Sequence, residues 1–262
     1  MSTNLSPIDT AKFVAARRAV AFVEDGMRLG LGTGSTAAWM VRCLGERVRD
    51  EGLRVTGVPT SSRTAELARQ MGIPVMSLDE AKWLDLTIDG ADEFDGRLNL
   101  IKGGGAALLQ EKIVATASDR MIVIADVAKE VAQLGQFPLP VEVVPFGWQT
   151  TKALIEETLV SLDVMGRECT LRMNGDRPLV TDEANYIIDL HLKRIGNPRQ
   201  MALVLNQIPG VVENGLFIDI CDIVIVGHGD GRIVVRDINA GSVSEERFDL
   251  EPGDNIFSDF GD

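Results

Sequence analysis

The sequence is poor in the residues that form disulfide frameworks and metal sites. Its 262 residues include three cysteines (Cys43, Cys169, Cys221) and two histidines (His191, His228). The cysteines are odd in number and widely spread, which is typical of reduced thiols in a cytosolic protein rather than of a disulfide framework. The histidines lie far apart and match no metal-ligand spacing. We therefore expect reduced thiols and no histidine-rich metal site, and a metal-free mechanism is the working assumption.

Positive charge is also scarce, and long hydrophobic runs are missing. The chain has 26 lysines and arginines against 39 aspartates and glutamates, which gives a formal net charge of −13. Such a charge repels nucleic acid and acidic membranes, so an anionic ligand would need a local basic pocket or backbone N–H groups. No window of about 18 consecutive apolar residues occurs, and the first residues lack the basic and apolar regions of a secretion signal. We expect a cytoplasmic protein that binds neither nucleic acid nor membranes.

What the chain does contain is the composition and periodicity of a folded protein. Hydrophobic residues make up 45% of it and charged residues 25%, as in ordinary globular domains. Helices are predicted over 8–23, 37–48, 62–71 and 106–117, and strands over 27–31, 54–59, 74–77, 83–88 and 121–125. Strands that alternate with helices predict an α/β fold with a parallel sheet.

The pattern changes at the FPLP sequence of residues 137–140. The segments that follow are typical of a small α+β unit, and the β-branched run 220–226 is typical of a strand that returns to a buried sheet. Beyond residue 239 the sequence is acidic and aperiodic, which favours a solvated tail. We predict a discontinuous α/β domain of residues 1–135 and 207–238, a small α+β domain of residues 136–206, and an acidic C-terminal tail of residues 239–262.

A glycine-rich loop, GTGST at residues 32–36, joins a predicted strand to a predicted helix. Its backbone N–H groups, its hydroxyls and the positive end of the helix dipole favour a bound oxyanion, above all a phosphate. A tight turn with an N-cap and no ligand explains the same residues equally well. Because the loop lacks both the P-loop ending and the full GxGxxG spacing, nucleotide binding is not required.

Acidic residues cluster where a buried strand is predicted to end. Asp89, Asp92 and Glu93 fall within five positions directly after Ile88, and open α/β sheets build their sites at the carboxyl ends of strands. Three neighbouring carboxylates repel one another and have no evident packing role. The cluster therefore favours a function, either in handling hydroxyl protons or in binding a metal, whereas a single acid there could be a cap.

Two further residues carry candidate chemistry. Lys102 precedes three glycines, which allow the backbone to approach a substrate closely, so this lysine could stabilise developing negative charge. A solvated lysine on a flexible surface loop is the alternative. Glu111 follows on the next predicted helix and could act as a general base. Its alternative is an exposed ion pair with a neighbouring lysine.

Several long motifs, taken together, resemble one family. They are GLGTGSTA (30–37), TIDGADEFD (87–95), IKGGGAALLQEKIVA (101–115), ADVAKEV (125–131), GQFPLPVEVVP (135–145) and IPGVVENGLF (208–217). In this order they closely resemble ribose-5-phosphate isomerases of the A type. The resemblance extends over residues 12–235 and does not include the acidic tail. A set of ordered motifs is far more specific than one glycine loop.

The resemblance implies an aldose–ketose isomerase that interconverts D-ribose 5-phosphate and D-ribulose 5-phosphate in the non-oxidative pentose phosphate pathway, without metal or cofactor. Glu111 would be the general base that moves a proton between C2 and C1 through a cis-enediolate, and Lys102 would stabilise the negative oxygen. Asp89 and Asp92 would bind hydroxyls and assist opening of the sugar ring. The positions that would bind the sugar phosphate are Thr33, Gly34, Ser35, Thr36, Gly90, Ala91, Gly103, Gly104, Gly105, Lys129 and Lys12.

The resemblance also implies a fold and an assembly. The fold would be a Rossmann-like α/β domain, interrupted by a small ferredoxin-like α+β domain that contributes to a homodimer or homotetramer. One departure is Gln136, where some relatives carry lysine. If that lysine contributes to the local charge, the affinity for phosphate is lower here.

Two other classes of protein share some of these features. A non-catalytic sugar-phosphate-sensing domain of related fold would have a similar loop, but such regulators usually carry a DNA-binding module. The segment before residue 32 is short for such a module, and the net charge is −13. An enzyme of related fold that acts on activated acyl groups would use a glutamate as nucleophile rather than as base. The presence of both aspartates together with Lys102 and Glu111 favours the isomerase over the sensor.

Overall fold

The computed structural model of the chain describes residues 5–249, which form two compact units. The first unit contains residues 5–90, Val114–Ala128 and residues 221–249, and the second contains Ala91–Ile113 and Lys129–Ile220. Both units are therefore discontinuous in sequence. No helix among residues 5–249 has both the length and the apolar character needed to span a bilayer.

Several helices begin at a side-chain N-cap that the sequence supplies. In chain order they are α1 (Pro7–Val20), α2 (Ser35–Asp50), α3 (Ser62–Gln70), α4 (Leu78–Ala81), α5 (Leu108–Thr116), α6 (Trp148–Leu159) and α7 (Pro198–Leu205). Ser6 caps α1 by accepting the N–H of Asp9 at 3.2 Å, and Pro7 occupies the first helical position, where no N–H is needed. A 3-10 turn, Val127–Lys129, lies between α5 and α6.

The strands are short and belong to several sheets. In chain order they are β1 (Arg28–Leu31), β2 (Thr56–Pro59), β3 (Leu86–Gly90), β4 (Glu93–Phe94), β5 (Leu100–Ile101), β6 (Met121–Asp126), β7 (Leu139–Val143), β8 (Glu168–Leu171), β9 (Met173–Asn174), β10 (Arg177–Pro178), β11 (Tyr186–His191), β12 (Val211–Asn214), β13 (Leu216–Phe217), β14 (Ile223–Gly227), β15 (Arg232–Asp237) and β16 (Ser242–Arg247).

The first unit is built on a seven-stranded sheet in the order β16-β15-β14-β6-β3-β1-β2. The strands from β14 to β2 are parallel, and β15 and β16 are added antiparallel at one edge. Because the carboxyl ends of parallel strands share one edge of the sheet, the residues that follow β1, β2, β3 and β6 lie along the same edge. The α/β, Rossmann-like prediction is confirmed.

Buried apolar runs explain why these segments form the centre of the sheet. Every residue of β6 and of β14 is buried, as expected for strands that are covered on both faces. Phe13 of α1 and Leu44 of α2 are fully buried and pack in one cluster with Ile124 and Ile225 of the sheet. Burial of such side chains contributes about 1.5–3 kcal/mol each.

The second unit contains the predicted ferredoxin-like domain. Apart from the small β9-β10 hairpin between β8 and β11, its chain order β7-α6-β8-β11-α7-β12 is the β-α-β-β-α-β pattern of that fold. The strands form an antiparallel sheet in the order β12-β7-β11-β8. Ile155 of α6 and Leu205 of α7 pack in one core cluster with Val141 and Leu190 of the sheet. The ferredoxin-like prediction is confirmed by this topology.

The second unit also contains a three-stranded antiparallel sheet in the order β13-β5-β4. The turn between β4 and β5 is held by Asp95, whose carboxylate accepts the N–H groups of Arg97 and Asn99 at 2.8 and 3.0 Å. β5 ends at Ile101, so Lys102 directly follows a strand that is paired on both sides.

Two local predictions were wrong. Residues 74–77 do not form a strand, because Pro74 has no N–H to donate to a neighbouring strand. Ser77 instead is the N-cap of α4, in a capping box with Glu80. A single bridge, Gly57 to Val75, is what remains of the predicted pairing. Helix α2 begins at Ser35, two positions before the predicted start at residue 37, so part of the glycine-rich loop belongs to the helix.

Each compact unit takes in segments from several parts of the chain. The second unit is larger than residues 136–206, because β5 pairs with β13 and β7 pairs with β12. The predicted tail of residues 239–262 contains strand β16, which pairs with β15. Glu246 accepts hydrogen bonds from Arg18 at 2.9 and 3.2 Å, which ties this edge strand to α1. The remainder of the predicted tail, residues 250–262, lies outside the described residues.

Candidate active site

The glycine-rich loop of the first unit ends β1 and begins α2. Gly34 is the N-cap of α2 with a φ of 119°, a conformation that favours glycine over any other residue. The hydroxyl of Thr33 lies 2.7 Å from that of Thr60, 2.8 Å from that of Ser61 and 3.1 Å from that of Thr64. The loops after two neighbouring parallel strands are thus joined by a cluster of four hydroxyls.

Asp89, the penultimate residue of β3, is fully buried beside this loop. Its Oδ1 accepts the N–H of Thr33 at 3.1 Å and the N–H of Gly90 at 2.7 Å. A Cβ on Gly32 would lie 2.1 Å from the same oxygen. Glycine at position 32 is therefore required for the carboxylate of Asp89 to occupy its place.

A pocket of about 450 Å³ lies in the first unit at the N-terminus of α2. Lys12, Arg42 and Arg63 line it together with Gly34 and Ser35, and the acids Asp9 and Glu66 lie on its wall. Burial and then the positive charge of Arg63 lower the pKa of Arg42. An anion in this pocket would relieve the repulsion between the two guanidinium groups and would also face the positive end of the helix dipole.

In the second unit, Lys102 and Glu111 form a buried ion pair. The Nζ of Lys102 lies 3.2 Å from Oε1 of Glu111, and the residues are 2% and 3% exposed. Lys102 follows β5 directly, whereas Glu111 lies in the first turn of α5. The Nζ of Lys102 is 5.5 Å from the centroid of the Phe217 ring, within the range of a cation–π contact. The predicted alternative of an exposed ion pair is therefore wrong for Glu111.

Lys112, next to the candidate base, is held by a separate set of contacts. Its Nζ donates to Oε1 of Glu213 at 2.9 Å and to the carbonyl of Asn214 at 2.6 Å. It lies 5.0 Å from the centroid of Phe217. Burial lowers the pKa of Lys112, and the carboxylate of Glu213 opposes that change. These contacts fix the first turn of α5 and with it the position of Glu111.

The glycine turn after Lys102 holds the second aspartate. The N–H of Gly104 donates to Oδ2 of Asp92 at 2.7 Å, and the N–H of Ala106 closes the turn on the carbonyl of Gly103 at 3.0 Å. Gly103 has a φ of 105°, and a Cβ on Gly104 would lie 2.5 Å from Oδ1 of Asp92. Two of the three glycines are thus required by backbone conformation or by close approach.

The structure groups the predicted site residues within each unit. In the first unit Thr33, Asp89 and Gly90 share hydrogen bonds, and Lys12, Gly34 and Ser35 line one pocket. In the second unit Lys102 contacts Glu111, and Asp92 contacts Gly104. For the remaining predicted positions the structure gives the place in the fold. Thr36 lies in the first turn of α2, Ala91 after β3, Gly105 in the glycine turn and Lys129 at the end of the 3-10 turn after β6.

One member of the acidic cluster has a structural role. Glu93 is 4% exposed, and its carboxylate accepts the N–H of Gly135 at 2.7 Å and the N–H of Phe137. Gln136, between these two residues, donates to the carbonyl of Lys193 at 3.0 Å. Glu93 therefore anchors the segment before β7.

Sequence reasoning missed several residues around these clusters. The hydroxyls of Thr60, Ser61 and Thr64 surround Thr33, and a signal existed, since the strand predicted over 54–59 places a TSS sequence at its carboxyl end. Arg172 donates to the glycine turn from far along the chain, and no local pattern points to it.

The chemistry that these groups support is proton transfer next to a carbonyl. A buried carboxylate can take a proton from carbon, and an ammonium beside it can stabilise the oxygen that becomes negative. Within residues 5–249, the His, Cys, Asp and Glu side chains form no group of three or more that could hold a metal ion. In the first unit, the basic pocket at the N-terminus of α2 suits a phosphate. These features are those of a sugar-phosphate isomerase of the aldose–ketose class.

Comparison with known proteins agrees with this class. Residues 56–231 match the family of ribose 5-phosphate isomerase A (phosphoriboisomerase A), and the chain belongs to this family. It is 74% identical to the ribose-5-phosphate isomerase A of Ruegeria pomeroyi and 76% identical to that of Cereibacter sphaeroides, over the full length of each pair. A solved D-ribose-5-phosphate isomerase in complex with phospho-erythronic acid is 42% identical, with a TM-score of 0.79 over 93% of this chain and 100% of that one.

Proposed function

We propose that this isomerase interconverts D-ribose 5-phosphate and D-ribulose 5-phosphate, a step of the non-oxidative pentose phosphate pathway. The observation that carries the proposal is the buried pair of Lys102 and Glu111, with Nζ and Oε1 3.2 Å apart. Aldose–ketose interconversion needs one group to move a proton between adjacent carbons and one to stabilise the charge on oxygen meanwhile. The pair supplies both groups at a buried position.

Proton transfer is assigned to Glu111. In the open-chain aldose its carboxylate takes the proton from C2, the electrons of that C–H bond form the C1–C2 double bond of a cis-enediolate, and the charge goes to the carbonyl oxygen. Lys102 stabilises that oxygen. The proton of the C2 hydroxyl moves to the negative oxygen on C1, and the carboxylic acid of Glu111 returns its proton to C1 as the C2=O bond forms, which gives the ketose. The base is unchanged at the end of the cycle, as catalysis requires.

Opening of the furanose ring and handling of hydroxyl protons are assigned to Asp89 and Asp92. Each of these carboxylates is oriented by backbone N–H groups, Asp89 by those of Thr33 and Gly90 and Asp92 by that of Gly104. A carboxylate held in this way keeps its remaining acceptor capacity in a fixed direction, so it can bind a substrate hydroxyl.

The phosphate is assigned to the pocket at the N-terminus of α2. Lys12, Gly34 and Ser35 line this pocket and supply a cation, a hydroxyl and backbone N–H groups, which are the usual partners of a phosphate. Thr33 and Thr36 are assigned to the same substrate site, as the family resemblance implies. Lys129 is assigned a further substrate contact, as the family resemblance implies. The charge of the pocket contrasts with the net charge of −13 of the whole chain.

The ligand of the related solved structure supports the enediolate. Phospho-erythronic acid is a phosphorylated four-carbon sugar acid, and the two oxygens of its carboxylate correspond to the two oxygens of a cis-enediolate. Because an enzyme binds mimics of its high-energy state tightly, we propose that the same acid inhibits this protein in competition with ribose 5-phosphate.

We further propose that the protein assembles as a homodimer or homotetramer in the cytoplasm. Phe146 is 92% exposed and Val144 is 40% exposed in the second unit, and exposed apolar side chains of this size favour association. Three free cysteines, Cys43, Cys169 and Cys221, suit a reducing compartment. Sedimentation equilibrium tests the assembly, since a monomer would have a mass of 28.4 kDa.

Isomerisation of ribose 5-phosphate in D₂O, followed by NMR, tests the reaction and its intermediate together. We expect ribulose 5-phosphate with deuterium at C1 in a measurable fraction of the product, because the proton held by Glu111 exchanges with solvent before its return. Ribulose 5-phosphate that stays free of deuterium after many rounds of interconversion in D₂O would indicate direct hydrogen transfer between the carbons and would contradict the enediolate. Binding of ribose 5-phosphate with no conversion would favour the sensor function.

A further inference from the structure

Arg172 lies between β8 and β9 of the second unit and is held in one orientation by Asp189 of β11. Its Nε donates to Oδ2 of Asp189 at 2.9 Å, and its Nη2 donates to Oδ1 of the same carboxylate. The two side chains are 15% and 16% exposed. A paired, mostly buried contact of this kind fixes the plane of the guanidinium group.

The third nitrogen of Arg172 reaches the glycine turn. Its Nη1 donates to the carbonyl of Gly103 at 2.7 Å and to that of Gly104 at 3.3 Å. The carbonyl of Gly103 also accepts the N–H of Ala106 at 3.0 Å. The cation therefore lies on the carbonyl side of the turn that follows Lys102.

The orientation of these carbonyls determines where the N–H groups of the turn point. In a trans peptide the C=O and N–H point in opposite directions, so the N–H groups of Gly104 and Gly105 are directed away from Arg172. The N–H of Gly104 is the group that holds Asp92, with an N to Oδ2 distance of 2.7 Å. A cation on the carbonyl oxygens also polarises both peptides and makes their N–H groups stronger donors.

The backbone of the turn needs such support. Gly103 has a φ of 105° and Ala106 a φ of 62°. Positive φ values of a residue with a Cβ persist only where the surroundings hold them. Pairing with Asp189 would be enough if Arg172 served stability alone. Arg172 also donates to the carbonyls of Gly103 and Gly104, so it supports the turn as well.

We propose that Arg172, tied by Asp189, is a positioning residue for isomerisation. It contacts no substrate and acts through the peptides of Gly103 and Gly104, which it orients so that Asp92 and the N–H of Gly105 meet the reacting oxygens. This inference rests on the proposed function of the Lys102 and Glu111 pair.

The test compares Arg172→Gln, Arg172→Lys and Asp189→Asn with the wild type and with Arg194→Gln. Arg194 is a matched control because it pairs with Asp163 in the same unit. For each protein kcat and KM for ribose 5-phosphate, the inhibition constant of phospho-erythronic acid and the thermal midpoint are measured.

For Arg172→Gln we expect kcat to fall by about 10- to 100-fold while KM stays within about threefold. Misplaced groups stabilise the transition state less well, whereas binding of the substrate changes little. The inhibition constant of phospho-erythronic acid should rise by a similar factor. Arg172→Lys should recover part of the loss, Asp189→Asn should show a smaller loss, and Arg194→Gln should match the wild type.

Equal kcat and inhibition constants in folded Arg172→Gln and in Arg194→Gln would overturn the inference. So would a fall in apparent kcat that equals the fraction of unfolded protein, with KM and the inhibition constant unchanged. If Arg172→Gln does not fold, kcat and the inhibition constants of Arg172→Lys and Asp189→Asn are compared with those of Arg194→Gln. Equal values would again overturn the inference. A wild type that does not convert ribose 5-phosphate at all would instead remove the proposed function, and this inference with it.

Discussion

The Nζ of Lys102 lies 3.2 Å from Oε1 of Glu111 at a position where the two residues are only 2% and 3% exposed. Taking two charges out of water costs free energy, and their mutual attraction compensates for that cost only while both are present. The pair therefore links stability to chemistry, since removal of either residue takes one opposite charge away from the buried charge of the other.

Replacing Lys102 by methionine should destabilise the protein and inactivate it. The variant leaves the carboxylate of Glu111 buried without its cation, so the free energy of unfolding should fall by about 3–5 kcal/mol in a urea titration. Lys152→Met, which breaks the exposed contact with Glu156 in α6, should cost less than about 1 kcal/mol. If Lys102→Met is as stable as Lys152→Met, the buried pair does not have the role described.

Adding one methyl group at Gly32 should lower activity strongly and also cost some stability. A Cβ there would lie 2.1 Å from Oδ1 of Asp89 and 2.6 Å from its Cα, so Gly32→Ala must displace the carboxylate and shift the backbone of β3. We expect kcat/KM for ribose 5-phosphate, measured on protein that circular dichroism shows to be folded, to fall by about 100-fold. Gly96→Ala is the control, since nothing lies within 4 Å of a Cβ at Gly96. Wild-type activity in Gly32→Ala would show that the position of Asp89 is not critical.

Removing the cation at Lys12 should weaken substrate binding rather than chemistry. The phosphate does not react, so its contacts stabilise the bound substrate and the transition state equally. Lys12→Gln should raise KM about tenfold and leave kcat within about threefold. Lys152→Gln removes the same charge away from the pocket and should change neither constant. A fall in kcat at constant KM in Lys12→Gln would contradict the phosphate assignment.

The cysteines should be almost unreactive in the folded protein. Burial raises the pKa of the Cys43 thiol to about 12 and that of the Cys169 thiol to about 11. A raised pKa lowers the fraction of thiolate at pH 8, and the thiolate is the reactive form. Iodoacetamide should therefore label both residues slowly in buffer and rapidly in urea, as followed by mass spectrometry. Rapid labelling of Cys43 without urea would contradict its buried environment.

Much of the first unit could be predicted from local patterns, because its strands are covered on both faces. The runs at 121–125 and 220–226 are continuously apolar, and they correspond to the buried strands β6 and β14. Strand β16 could not be predicted in this way, since all its side chains are exposed and backbone pairing with β15 holds it in place. Hydrophobic periodicity gives no signal for such a strand.

The candidate site was predictable where the chemistry lies within one motif. The loop at 32–36 and the Lys102 turn are short segments whose residue types suggest their role. Arg172 is different, because it is 69 positions from Gly103 and only the pairing of β8 with β11 places it beside Asp189. The role of Glu93 could not be predicted from its place in the acidic cluster. Its neighbours in sequence are candidate site residues, but its own carboxylate accepts backbone N–H groups of the segment before β7.

If Glu111 is the base of a metal-independent isomerisation, EDTA and the loss of its carboxylate must have different effects. The most direct measurement is the rate of ribulose 5-phosphate formation from ribose 5-phosphate by EDTA-treated wild type and by EDTA-treated Glu111→Gln. We expect the wild type to keep its activity after EDTA and the variant to lose activity by about 10²- to 10⁴-fold while it still binds phospho-erythronic acid. A variant with wild-type kcat, or a wild type whose activity disappears with EDTA and returns with a divalent metal, would contradict this assignment.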